Sequence, residues 1–246
     1  MIAVLDIPHN SPTGFVVREA SLDDVGDLTR LWYSAFNTSH KFWEVMTPAD
    51  AITRQWWDDV WTMGIKAGSA VFKTFVVEDL SREGRLVAFS RWNVPQADGS
   101  QNIPLPDYPP EWDSELTEAL WGGMPKNRAD IMGQRPHWML EFVGVDRDYQ
   151  QKGLGFTLLD WGCRQADSQG LEVYLDASPK GLPFYKKDFG FEEKKVLQIP
   201  LRPETYGSYE LIAVVRSPKV WSSSDIVDKQ LSSDIGVEVV EVEEEA

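Results

Sequence analysis

The chain has 246 residues, 42% of them hydrophobic, with 24 Lys and Arg against 39 Asp and Glu for a formal charge of −15. That length can bury one large core; no run of ~20 apolar residues able to span a bilayer is present, and so acidic a chain is a poor partner for DNA or RNA. The single cysteine, Cys163, forbids an internal disulfide and fits a reducing compartment, so a cytoplasmic protein without membrane association is expected.

Residues 1–14 read as an irregular lead. A strand is predicted over 15–20. A helix follows over 23–36, with Ser21 as N-cap and apolar Val25, Leu28, Leu31, Trp32 and Ala35 on one face. A second helix is predicted over 49–66, with Thr47 and Pro48 at its start. Residues 71–79 and 85–94 read as a hairpin. The stretch 94–136 is rich in proline and glycine, with one helix predicted over 111–121; its length suits a lid or binding loop. Strand, helix and strand are expected at 138–145, 153–169 and 171–178, then a short helix over 183–189 and a closing antiparallel pair over 191–199 and 209–215. Residues 217–246 form an acidic tail expected to be flexible. Within it, residues 221–246 carry eight acids and one base, a net of −7, which leaves −8 for the rest. The predicted class is α/β: a mixed, mostly antiparallel sheet flanked by helices, with strands 138–145 and 171–178 parallel across their crossover helix.

The chemistry concentrates in Val145–Gly155. Here an apolar strand ends in a turn, Gln150-Gln151-Lys152-Gly153-Leu154-Gly155, that opens a helix. Free N–H groups of the turn and first helical turn, together with the helix dipole, make a site for a pyrophosphate. Glycines remove Cβ atoms where phosphate must approach the backbone. The bland alternative is an ordinary glycine turn. Downstream stand Tyr185 and Phe189-Gly190-Phe191. Glu141 is the lone carboxylate in its strand, which is costly unless paired or poised.

These residues resemble the acetyl-CoA-binding core of the GNAT family of N-acetyltransferases, whose pattern is (Gln/Arg)-x-x-Gly-x-(Gly/Ala). Arg147 replaces the proline that the family often carries in Val-x-Pro-x-Tyr, and Tyr185 stands five residues before Gly190 where the family has four. The resemblance implies a GNAT-type acyl-CoA acyltransferase fold over 15–216, with 94–136 inserted. It implies acetyl-CoA as co-substrate and transfer of acetyl to a primary amine by direct attack in a ternary complex. A small-molecule amine is the expected acceptor, on a monomer or homodimer. A peptide or protein lysine is the competing acceptor, and a non-catalytic acyl-CoA-binding sensor the competing class.

Carried over residue by residue, the resemblance implies a phosphate cradle of Gln150, Gln151, Lys152, Gly153, Leu154, Gly155 and Phe156. Backbone groups of Val143 and Val145 would hold the pantetheine arm, and Ser178 would lie near it or cap a helix. Lys152 touches a phosphate or is solvated. Glu141 is the general base, directly or through water, or else pairs with Arg18 or Arg91. Strand alternation puts Glu141, Val143 and Val145 on one face. Tyr185 is the general acid for the leaving thiolate, or a core tyrosine. Trp32, Phe36, His40, Trp43, Trp138 and Asp176 are the expected acceptor-side residues. The tryptophans of the first two helices alternatively just pack the core, and Asp176 alternatively ends a solvated strand. His137 or His40 could assist as a base, though a lone histidine is more often structural or surface, Cys163 reads as a packed thiol, and no clustered His/Cys set suggests a metal.

Overall fold

Seven strands make one mixed sheet in the computed structural model, which describes residues 11–37, 39–98 and 105–219. They are β1 (Phe15–Glu19), β2 (Phe72–Asp79), β3 (Arg85–Asn93), β4 (His137–Val145), β5 (Glu172–Ala177), β6 (Glu192–Gln198) and β7 (Glu210–Arg216). Their order is β1-β2-β3-β4-β5-β7-β6. Every neighbouring pair is antiparallel except β4 and β5. The expected class and the parallel crossover pair are thus observed. Most of the predicted tail (220–246), most of the lead and residues 99–104 of the insertion lie outside the described residues.

The helices are α1 (Val25–Trp32), α2 (Lys41–Met46), α3 (Ala51–Ala67), α4 (Ser114–Thr117), α5 (Gly123–Met132), α6 (Leu154–Gln169) and α7 (Leu182–Phe189). No described helix is long and apolar enough to cross a membrane.

Four sequence expectations need correction. The helix predicted over 23–36 is a 3-10 turn (Leu22–Asp24), then α1, then a π-helical turn (Tyr33–Asn37). Between the helices predicted over 23–36 and 49–66 no further helix is expected, yet α2 lies there, capped where the His40 ring accepts the Phe42 N–H at 3.1 Å. Thr47 ends α2, and α3 starts instead at Asp50, whose carboxylate accepts the Thr53 N–H at 2.7 Å. The helix predicted to stop at 121 runs on from α4 to α5 through a π-helical turn (Glu118–Gly122). A widened turn is where Pro125, with no N–H to give, can be tolerated inside a helical run.

Two apolar cores lie on opposite faces of the sheet. On one face α6 and α7 cover Val17, Phe75, Trp92, Trp138, Leu140 and Val214. On the other, α1, α2, α3 and the α4–α5 run cover Val76, Leu86 and Phe89 with a dense aromatic layer. The Trp32 and Trp57 rings stack at 4.1 Å, and Trp57 stacks on Trp61 at 5.9 Å. At the C-terminal end of the sheet, buried Arg216 forks onto both oxygens of Asp167 at 2.7 and 2.8 Å and donates to the Phe189 carbonyl, tying β7 to α6 and α7.

Strands β4 and β5 pair only from His137 to Met139 against Glu172 to Tyr174. Beyond that point β4 stays on β3, and β5 stays on β7. The gap between them is the founding feature of the site. Its position depends on how closely α6 sits on the sheet. A Cβ built on Gly162 would lie 2.3 Å from the Trp92 ring. We therefore expect Gly162→Ala to cost about 2 kcal/mol despite the better helix propensity of alanine, because overpacking outweighs it. Urea denaturation checks this, and a gain in stability would mean that α6 is free to lift from β3.

Candidate functional site

A one-residue bulge decides what faces the gap. In the β3–β4 register Arg91 opposes Phe142 and Trp92 opposes Leu140, which leaves Glu141 as the extra residue. A bulge turns the strand by one place in its alternation. Glu141 and Phe142 consequently both lie on the α3 side, while Val143 and Val145 pack on the α6 side. The expectation of Glu141, Val143 and Val145 on one face is therefore wrong, and the bulge is the reason.

Glu141 is fully engaged. Arg91 donates to both of its oxygens, at 2.8 and 2.7 Å, and Asn93 donates to one at 3.1 Å. Arg91 is 2% exposed, gives its remaining nitrogen to the Val60 carbonyl at 3.0 Å, and lies over the rings of Trp61, Phe72 and Phe142. Of the two partners weighed from sequence, Arg91 is the one found. Arg18 is spent on Asp24 and Glu78.

The turn between β4 and α6 offers backbone N–H groups to the cleft. Asp146, buried and paired with Arg30 and Arg85, anchors the end of β4 by donating its N–H to the Val87 carbonyl at 2.8 Å. A 3-10 turn (Arg147–Tyr149) follows, held by the Tyr149 hydroxyl donating to Asp79 at 2.9 Å. Gln151 and Gly153 then adopt φ of +64° and +81°. Gly153 is the N-cap of α6, and no side chain caps that helix. The N–H groups of Leu154, Gly155 and Phe156 therefore present their partial positive charge to the cleft. The Gln150, Gln151, Gly153, Leu154, Gly155 and Phe156 positions all line it. Lys152 does not; its ammonium sits 4.9 Å from the Tyr149 ring centroid.

The opposite wall comes from the β5–α7 connection. Ser178 accepts the Gly181 N–H through its hydroxyl at 3.1 Å, so it caps the turn while also lining the cleft. The Tyr185 ring folds back over Gly181, where a Cβ would lie 3.0 Å from it. Tyr185 therefore reaches the cleft despite its extra residue of spacing, and burial raises its phenol to about 12. Such a phenol stays protonated across the working range of an enzyme.

The cleft, about 1570 Å³, passes through the β4–β5 gap to a chamber on the α1–α3 side. Trp32, Phe36, His40 and Trp43 line that chamber. Trp43 donates its indole N–H to the Tyr209 hydroxyl at 3.1 Å, and His40 lies 4.8 Å from the Tyr209 ring. Asp176 lines it too. Desolvation raises its carboxyl to about 7, against the lowering effects of the Tyr174 hydroxyl, which donates at 3.0 Å, and of the Arg128 charge. Trp138 is the expectation that fails. It is buried under α6 against Trp92 and Trp161, donating to Gln169, because the strand alternation before the bulge points it away from the chamber. His137 is buried beside the Arg135 carbonyl, and burial lowers its imidazole. Burial pushes the Cys163 thiol up to about 12, as befits a packed side chain.

Among the lining residues not singled out from sequence are Asn93, Asp107, Arg128, Tyr209 and Glu210. The polar positions of β3 and β7 carried no motif. Arg128 lay in an insertion whose second helix was not foreseen.

The chain matches the family model described as the acetyltransferase (GNAT) family over residues 31–191. Similar solved structures include the histone acetyltransferase HPA2 and related acetyltransferase from Corynebacterium glutamicum, at 19% identity over 85% of this chain and 99% of that one, TM-score 0.52. The polyamine N-acetyltransferase of Drosophila melanogaster is 16% identical over 82% of this chain and 99% of its own, TM-score 0.54. The C-terminal condensation domain of Ebony is 10% identical over 82% and 98%, TM-score 0.59. At these identities the likeness is one of fold.

Removing one member of a buried ion pair strands the other. Glu141→Ala leaves the Arg91 guanidinium without its carboxylate, at an expected cost of about 3 kcal/mol. Chemical denaturation measures it. Wild-type stability in this variant would show the pair to be incidental to the bulge.

Proposed function

The chain belongs to the acetyltransferase (GNAT) family, and we propose that it moves an acetyl group from acetyl-CoA to the primary amine of a small molecule by direct attack in a ternary complex. The observation that supports this reading is the single cleft that joins the uncapped N-terminus of α6 to an acid-lined, aromatic-walled chamber through the β4–β5 gap. Members of the family generally use acetyl-CoA as co-substrate, and these residues suit it. The φ of Gly153 and the free N–H groups beyond it can receive a pyrophosphate without a Cβ in the way.

In this reading Gln150, Gln151, Gly153, Leu154, Gly155 and Phe156 hold the pyrophosphate. The edge of β4 that faces β5 is unpaired beyond Met139. Backbone groups of Val143 and Val145 there hold the pantetheine arm, and one N–H stabilises charge on the thioester oxygen. Tyr185 gives its proton to the leaving sulfur. Glu141, held by Arg91, keeps the bulge in shape.

Selection of the amine falls to the far chamber. Glu141, Asp176, Asp107 and Glu210 face it, so an ammonium group is attracted. Trp121, Met124 and Arg128 of the insertion wall it. A chamber walled on one side by the insertion suits a small amine better than a long peptide.

Gly153→Asp puts bulk and negative charge where the pyrophosphate binds, and calorimetry should show micromolar acetyl-CoA binding in the wild type and none in the variant. Unchanged affinity would remove the α6 turn from the site. A thiol-release screen of polyamines, arylalkylamines and a lysine peptide then separates the acceptor classes. Binding without thiol release from any of them would favour a sensor. Tyr185→Phe should lower turnover by about 100-fold and leave acetyl-CoA affinity within about twofold. Full turnover would mean that the sulfur takes its proton elsewhere.

A further inference from the structure

We propose that Asp176 is the catalytic residue that takes the proton from the acceptor amine, a role that rests on the acetyltransferase reading above. An alkylamine with a pKa of about 10.4 enters almost wholly as ammonium, so a proton acceptor in the chamber is required before the nitrogen can attack.

The choice falls on Asp176 by geometry. Glu141, the other acid beside the gap, has both oxygens occupied by Arg91 and a further hydrogen bond from Asn93. A carboxylate so paired is a poor base, since protonating it would abandon a buried guanidinium. Asp176 is differently placed. One of its oxygens accepts the Tyr174 hydroxyl at 3.0 Å, and the charge of Arg128 bears on it from α5. It stands on β5 two residues beyond Tyr174, the last residue of that strand paired to β4. The side chain therefore meets the gap where the two strands have separated, on the same side of the sheet as Tyr174. The aromatic chamber and the gap open onto it together.

The surroundings set its proton affinity near neutrality. Burial raises it to about 7; the Tyr174 hydroxyl on its own strand and the Arg128 charge on α5 lower it. Other charged or titratable groups that line the same cleft are Glu141 on β4, Glu210 on β7, Asp107 on the insertion, Lys180 after β5, His40 at the start of α2 and Tyr185 on α7. A base poised near the working pH combines a useful fraction of carboxylate with a useful driving force.

The step balances as follows. Asp176 takes one proton from the ammonium nitrogen and passes it to solvent. The nitrogen lone pair forms the C–N bond as the C–S bond breaks, and Tyr185 protonates the sulfur. The surplus proton on the new amide nitrogen restores Tyr185 through solvent. One proton is released for each amide and CoA thiol formed.

The test is the pH profile of kcat/KM for thiol release between about pH 5 and 8.5, using an alkylamine acceptor of pKa about 10.4 that stays an ammonium throughout the range, so that its own titration is absent while the proposed proton transfer is required. The wild-type profile should rise to a plateau with a midpoint near 7, because the active form is the carboxylate and is lost as pH falls through that value. Asp176→Asn should lose the limb and at least about 100-fold of the plateau rate, with acetyl-CoA binding by calorimetry within twofold of wild type. Tyr174→Phe deletes a hydrogen bond that favours the carboxylate, so its limb should move to higher pH with the plateau largely kept. An active wild type whose rate and limb survive in Asp176→Asn would overturn the assignment alone. A wild type that binds acetyl-CoA and acetylates no amine would overturn it together with the reading on which it rests.

Discussion

The Arg91–Glu141 pair is the interaction on which the working half of this molecule depends. Arg91 is buried under α3, between Trp61, Phe72 and Phe142, and a guanidinium there is tolerable only with a carboxylate in direct contact. Glu141 reaches it by occupying the bulge of β4. That extra residue switches the face on which every later residue of the strand lies. Val143 and Val145 are thereby turned toward α6, and Phe142 toward the aromatic layer. A regular strand would have given the opposite arrangement and closed the gap with different side chains.

From that point the architecture follows from unpaired backbone. A parallel pair that stops after three residues leaves strand edges that must find other partners. The N-terminus of α6 adds N–H groups that no side chain caps. Both deficits face the same cleft, and both are of the kind that an extended, polar and anionic ligand such as a coenzyme thioester can meet. Stability is supplied elsewhere, by the Arg216–Asp167 pair, by the close seat of Gly162 on Trp92 and by the stacked indoles between α1 and α3.

The aromatic layer serves two ends. Trp57 and Trp61 are wholly internal, and packing accounts for them. Trp32, Phe36 and Trp43 continue the same layer to the cleft, where Tyr209 and His40 join them. The core and the chamber thus share one wall, so the chamber inherits the rigidity of the core. On the other side, the helices of the insertion bring Arg128 next to Asp176 and Tyr174.

The sequence by itself determined the parts whose chemistry is local. A strand ending in Gln151-Lys152-Gly153 before an amphipathic helix specifies the anion-binding turn, because positive φ and free N–H groups are properties of a few consecutive residues. The order of strands and helices, and the presence of Tyr185 and Ser178 in one connection, were legible for the same reason. Tertiary structure alone decided which way β4 faces, since a one-residue bulge leaves no trace in a period-two pattern. It sent Trp138 into the core, tied Glu141 to Arg91, and brought Arg128 from an irregular insertion to Asp176 on β5. These are contacts between residues about fifty positions apart, set by packing of the sheet against its helices rather than by any local preference of the chain.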